Sequence, residues 1–190
     1  GKGVKIAVID TGIEPHLALN DNIQHINLID LDEGTNPNSH GTSVASLIAG
    51  QHPNMRGVAP QAELISVRVA DETGVSSSFL LAQGITAAAD AGAQLINISM
   101  GSSSDSALVR QAVDYAIEQG AVIFASSGND GTQQASYPAA DPDVYSVGAI
   151  DANGTHLNFS NTDDNLAFTA PGFEVQAAFP GDNVLSLIHI

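Results

Sequence analysis

Cysteine is absent from this 190-residue chain and basic residues are scarce: five Lys and Arg stand against 21 Asp and Glu, for a formal net charge of −16. The first absence excludes disulfides, cysteine nucleophiles and thiolate zinc sites, although it does not fix a compartment. The second argues against nucleic-acid and anionic-membrane partners, because phosphate recognition needs clustered Lys and Arg. No apolar run approaches the ~20 residues of a membrane span. No signal peptide precedes the first apolar run, so a chain that opens almost directly on a strand is expected to be an internal fragment. The acidic residues are dispersed and not gathered in a tail, which suits a soluble, secreted protein. One domain around one sizeable core is the default at this length.

What is present is apolar runs with regular stops. Residues 4–9, VKIAVI, form a β-branched run ending in Asp10-Thr11-Gly12, which reads as a buried strand with an acid at its carboxyl end. A weaker strand over residues 23–29 and a polar, turn-rich stretch over 30–38 lead to SHGTSVASLIAG, residues 39–50. Past its entrance this helix is apolar nearly all round, so it belongs inside the protein. Strands are expected at 63–69, 94–98 and 121–125. Leu81, Ile85, Ala88 and Ala89 follow helical spacing up to Gly92, and residues 105–119 repeat the pattern with Leu108, Ala112, Tyr115 and Ala116 on one face. Shorter strands follow near 144–150, 166–169 and 175–179. The alternation predicts a three-layer α/β/α fold with a mainly parallel central sheet, whose ligands sit at the carboxyl ends of the strands.

Three polar features fall at those ends: Asp10, His40 at the helix entrance, and Ser127-Gly128-Asn129-Asp130-Gly131. Ser39 or Asn38 is placed to cap the helix, and its positive end disfavours imidazolium, which suits a general base. A hydrolase attacking an acyl carbon needs a carboxylate to orient an imidazole, the imidazole as base, oxyanion donors and a nucleophile. Asp10, His40 and Asn129 fill the first three roles.

At this point the chain resembles the subtilisin-like serine proteases. The matching segments are VIDTGIEPH, SHGTSVASLIAG, RGVAPQAELISVRV, LINISMG, SSGNDG, SYPAADPDVYSVGAID and TAPG, collinear over nearly the whole chain. The resemblance implies that Asp10 holds the tautomer of His40, that His40 is base and then acid, and that Asn129 donates to the oxyanion. It implies an extended polypeptide substrate paired between Ser99-Met100-Gly101 and Gly74-Val75-Ser76, with Ser126, Ser127 and Gly128 at the primary specificity pocket and a cis bond at Tyr137-Pro138. Secretion and a monomeric state are expected with it.

The family's nucleophile opens a second buried helix downstream of turns that here are Ala170-Pro171-Gly172 and Pro180-Gly181. It is expected just past residue 190, which would leave the 190-residue chain inactive as a peptidase. Ser43 mimics the nucleophile motif, but it lies one turn from His40 on the same helix, leaving no room for substrate between base and nucleophile. Ser186 has neither a preceding glycine nor a following helix. Residues 185–190, LSLIHI, are apolar where the family has a polar loop, and are expected to be a non-native tail after a partial domain over 1–184. The chemistry needs no cofactor. Structural calcium occurs in the family, but the loop at residues 51–56 carries no carboxylate for it. An aspartic protease is excluded because that fold is all-β, and a dinucleotide enzyme because Gly1-Lys2-Gly3 precedes its strand. The rival reading is a catalytically silent peptide-binding module on the same scaffold.

Overall fold

The computed structural model describes residues 1–30 and 38–187. From the amino terminus the elements are β1 (Lys5–Asp10), β2 (Gln24–Asn27), α1 (His40–Ala49), β3 (Gln51–His52), β4 (Met55–Arg56), β5 (Glu63–Arg68) and α2 (Ser78–Asp90). Then come β6 (Leu95–Ile98), α3 (Ala107–Glu118), β7 (Val122–Ser126), β8 (Tyr145–Ile150), β9 (Phe168–Pro171), β10 (Val175–Phe179) and β11 (Asn183–Leu187). The stretch expected over residues 30–38 lies outside the described residues except for its two ends.

Seven strands form one parallel sheet in the order β2-β5-β1-β6-β7-β8-β9. β1 lies inside it because both of its faces are apolar. Ala7 and Ile9 pack with Leu81, Ile85 and Ala88 of α2, and with Val113 of α3. Ile6 and Val8 point the other way, onto Val44, Ala45 and Ala49 of α1. This period-two alternation puts α2 and α3 on one face and α1 on the other, which gives the three layers. The buried stripe of α3 is Val109, Ala112, Val113 and Ala116, at i, i+3, i+4 and i+7; Leu108, assigned to the core face from sequence, is 53% exposed.

β8 and β9 join the parallel sheet through loops, without helical crossovers. Phe124, Tyr145 and Phe168 lie side by side on β7, β8 and β9, with ring centroids 5.4, 5.7 and 6.1 Å apart. They occupy the face that also carries α1, and Tyr145 and Phe168 are half exposed there.

The β10–β11 hairpin stands outside the sheet and is held by side chains. Ser43 Oγ donates to the Ala178 carbonyl at 2.7 Å, and the Ala178 N–H donates to Ser46 Oγ at 2.9 Å. The hairpin is also tied to the first loop. His16 Nδ1 accepts the Ala18 N–H at 3.0 Å, which leaves Nε2–H to donate to the Asn183 carbonyl at 3.1 Å. The Leu17 N–H donates to Asp182 Oδ1 at 3.0 Å. Residues 185–187 of the LSLIHI segment complete β11 by main-chain pairing with residues 175–177, and 188–190 lie outside the described residues.

Candidate active site

Asp10 closes β1 and is 1% exposed. A carboxylate buried that deeply must be paired or hydrogen-bonded, and it is both. Its Oδ1 accepts the Thr11 N–H at 2.7 Å, while His40 Nδ1 stands 2.9 Å from both carboxylate oxygens. Thr11 fastens the end of β1 to the start of α1, with Oγ1 donating to the Asn38 carbonyl and accepting the Gly41 N–H, each at 3.1 Å. Gly41 is required at that crossing, because a Cβ there would lie 2.3 Å from the Gly12 carbonyl oxygen.

The cap of α1 is Asn38, whose Oδ1 accepts the His40 N–H at 2.9 Å; the Ser39 side chain makes no capping bond. The expectation that the helix end keeps His40 neutral is corrected by the electrostatics. The Asp10 hydrogen bond, aided by its charge and opposed by burial, raises the His40 pKa above the ordinary histidine value. With Nδ1–H given to Asp10, Nε2 is the nitrogen left for chemistry, and it has no partner among the described residues.

His40 lines a groove of about 260 Å³ with Asn97, Ser99, Ser126 and Asn129, so the strand-end residues picked from sequence converge with the helix entrance. The remaining wall is largely apolar, with Val44, Leu47, Ile48, Phe124 and Val147. A second cavity, of about 360 Å³, is walled by Gly74, Val75 and Ser76 on one side and by Met100 and Gly101 on the other. Ser127 and Gly128 line neither. Ser127 is fully buried, with Oγ donating to the Asn161 carbonyl at 2.9 Å. Gly128, at φ +107°, lies so close to Asn161 that a Cβ would meet its Nδ2 at 2.4 Å. Ser43 is buried and turned to Ala178, away from the groove.

Asn161 was not legible in the sequence. It is 1% exposed and organises the loop carrying Asn129: its Oδ1 accepts the N–H groups of Asp130 (2.9 Å) and Thr132 (3.2 Å), and its own N–H donates to the Gly128 carbonyl at 2.9 Å. Asn161→Ala strands two backbone donors, so the expected loss is about 2–3 kcal/mol of unfolding free energy. Chemical denaturation checks this, and backbone amide exchange should quicken at Asp130 and Thr132.

A model of the subtilase family matches residues 1–187. The chain belongs to that family. It is 40% identical over 189 residues to subtilisin Savinase from Lederbergia lenta, covering 98% of this chain and 70% of the relative. It is equally identical to an alkaline protease from Alkalihalobacillus alcalophilus, of which it spans only half. Among solved structures, the protease domain of PatA superposes with a TM-score of 0.89 at 28% identity, over 98% of this chain and 73% of that one. The scaffold is therefore that of a subtilisin-like serine endopeptidase.

Two details bear on the subtilase comparison. The Tyr137–Pro138 bond is cis. Residues 51–56 form the small β3–β4 hairpin, whose Gln51 Nε2 donates to the Pro60 carbonyl. It carries no carboxylate, and no group of three His, Asp or Glu side chains converges on a metal position among the described residues.

Proposed function

We propose that this chain is the larger part of the catalytic domain of a serine endopeptidase, with Asp10 as the orienting carboxylate, His40 as general base and then acid, and Asn129 as an oxyanion donor. The observation that carries the reading is the contact of His40 Nδ1 with both oxygens of buried Asp10, at the mouth of a groove shared with Asn129. That contact fixes the tautomer in which Nε2 accepts a proton from a nucleophile. It also weighs against a silent binding module, since peptide binding alone requires neither the buried acid nor its imidazole.

The nucleophilic serine comes from a segment beyond residue 190, on a helix whose apolar side would rest on the groove wall formed by Val44, Leu47, Ile48, Phe124 and Val147. The substrate is an extended polypeptide lying between residues 74–76 and 99–101, whose main chain would pair on both sides. Ser126 borders the primary pocket, and Ser127 and Gly128 fix the loop behind it through their contacts with Asn161. The acidic surface and the protease relatives support a secreted, monomeric enzyme that needs no cofactor for its chemistry.

The test is a pair of proteins. The 190-residue chain is expected to leave casein intact and a fluorophosphonate probe unreacted. The same chain continued with the parent gene's Gly-Thr-Ser-type segment is expected to hydrolyse casein and take up the probe. A continued protein that binds peptide but stays unlabelled would sink the reading and favour the silent module.

A further inference from the structure

We infer that the Asn153-Gly154 turn after β8 is a site of spontaneous modification, at which the chain loses ammonia and converts Asn153 to isoaspartate. It is the single Asn-Gly pair in the sequence; every other asparagine precedes a residue with a side chain. The reaction brings the main-chain nitrogen of the following residue onto the asparagine side-chain carbon, an approach that a Cβ on that residue would crowd. The turn is also open. Residues 152–155 are exposed, and apart from its chain neighbours no atom lies within 4 Å of where a Gly154 Cβ would stand, so water and hydroxide reach both groups. Asn129 is protected by contrast, because the N–H that follows it, on Asp130, is held by buried Asn161 at 2.9 Å.

The turn sets the pace. The Gly154 N–H donates to the Asp151 carbonyl at 3.1 Å, and that bond must open before the nitrogen can attack. Asp151 Oδ1 accepts the N–H groups of Asn153 and Thr155, each at 2.8 Å, and the Asp151 N–H donates to the Thr155 carbonyl at 2.9 Å. The Thr155 N–H foremost, with that of Asn153, holds Asp151 below the ordinary carboxylate range, so the clamp stays charged in alkaline solution, where the reaction runs. Opening exposed bonds of this kind slows ring closure by about tenfold against a free peptide.

The only co-reactant is water. Hydroxide takes the Gly154 N–H proton, and the nitrogen bonds to Asn153 Cγ. The carboxamide nitrogen gains a proton and leaves as ammonia, which closes a succinimide ring. Water then bonds to one ring carbonyl carbon, the bond from that carbon to nitrogen breaks, and the nitrogen regains its proton. Breakage at the main-chain carbonyl carbon gives isoaspartate, breakage at Cγ gives aspartate, and nothing is oxidised. Isoaspartate lengthens the main chain by a carbon atom, so the bonds across the turn lose their register. The next one along joins the Leu157 N–H to the Ala149 carbonyl at 3.0 Å, and Ala149 lines the groove beside His40, so slackening this turn loosens one edge of that groove.

The test ages the purified chain in warm, mildly alkaline buffer beside a synthetic peptide of residues 150–157. Isoaspartate is read by methyl transfer from S-adenosylmethionine with an isoaspartyl methyltransferase, and its position by mass mapping of chymotryptic peptides. Asn153 is expected to convert before any other asparagine, about tenfold more slowly than in the peptide. Asn153→Gln should leave the turn unlabelled, since glutamine would need a larger ring. Asp151→Ala, which removes the acceptor of two N–H groups, should bring the rate up toward that of the peptide. Should that variant fail to fold, the wild-type chain unfolded in guanidinium chloride serves instead and should match the peptide. In the aged protein, amide exchange should quicken at Thr155 and Leu157. Conversion of another asparagine first, an unmodified folded chain beside a converting peptide, or a rate indifferent both to Asp151→Ala and to unfolding would each overturn the inference.

Discussion

Asp10→Asn in the enzyme carrying its serine segment is expected to lower kcat by about 10⁴-fold while leaving KM nearly unchanged. Asparagine is isosteric, and its Oδ1 keeps the Thr11 N–H that Asp10 accepts at 2.7 Å. The amide NH₂ then faces His40 Nδ1, which must become an acceptor, and the ring proton moves to Nε2. A base already protonated on its working nitrogen cannot take one from serine. The same change removes the hydrogen bond and charge that raise the His40 pKa. A second readout follows on the 190-residue chain, whose folded state holds the His40 proton more tightly than the unfolded chain does. The stability this confers is fully present below the ordinary histidine pKa of about 6.5. It is lost as pH rises through the raised folded value. Denaturation midpoints should therefore decline over that window in the wild-type chain and stay flat in Asp10→Asn. NMR titration of His40 would settle it independently, and an unchanged midpoint in the variant would contradict the contact.

Gly41→Ala is expected to remove about 3 kcal/mol or more of stability, at the upper end of overpacking costs. The added methyl would sit 2.3 Å from the Gly12 carbonyl oxygen and 3.2 Å from Asp10 Cβ. The closest obstacle is backbone, not a flexible side-chain tip, so relief requires α1 to withdraw from the end of β1. Withdrawal stretches the Gly41 N–H bond to Thr11 Oγ1 and the Asp10–His40 contact together. The variant should thus show both a lowered unfolding free energy and a His40 pKa falling back toward the ordinary value. Loss of stability with an unaltered His40 titration would mean that the helix tilts about its entrance instead of moving off it.

The strands and α1 were legible because each is a short apolar run with a stop, and the strand-end rule then placed Asp10, His40 and Asn129 together. Periodicity was less reliable for α3, where Val109 and not Leu108 faces the core, since a shift of one residue leaves a similar count of apolar positions. The sign of the His40 shift was misjudged for a reason of magnitude. A helix end contributes roughly 0.3–1 kcal/mol, whereas a hydrogen bond to a charged group contributes about 1.5–3 kcal/mol, and the partner lies 30 positions away. Asn161 gave no signal at all. It sits among polar turn formers, where asparagine is ordinary, and its role arises wholly from residues 127–132 meeting it in space. The unequal fates of Ser126, Ser127 and Gly128 follow from that same contact.

The bonds that tie His16 and Leu17 to Asn183 and Asp182 span 167 and 165 positions. During synthesis the two donors of the first loop, His16 Nε2–H and the Leu17 N–H, must therefore face water until residues 182 and 183 have left the ribosome. Asp10 and His40 are only 30 residues apart. The proton-handling pair thus closes a short loop of the chain, whereas the hairpin latch closes one of more than 160 residues, with the correspondingly larger entropy of closure.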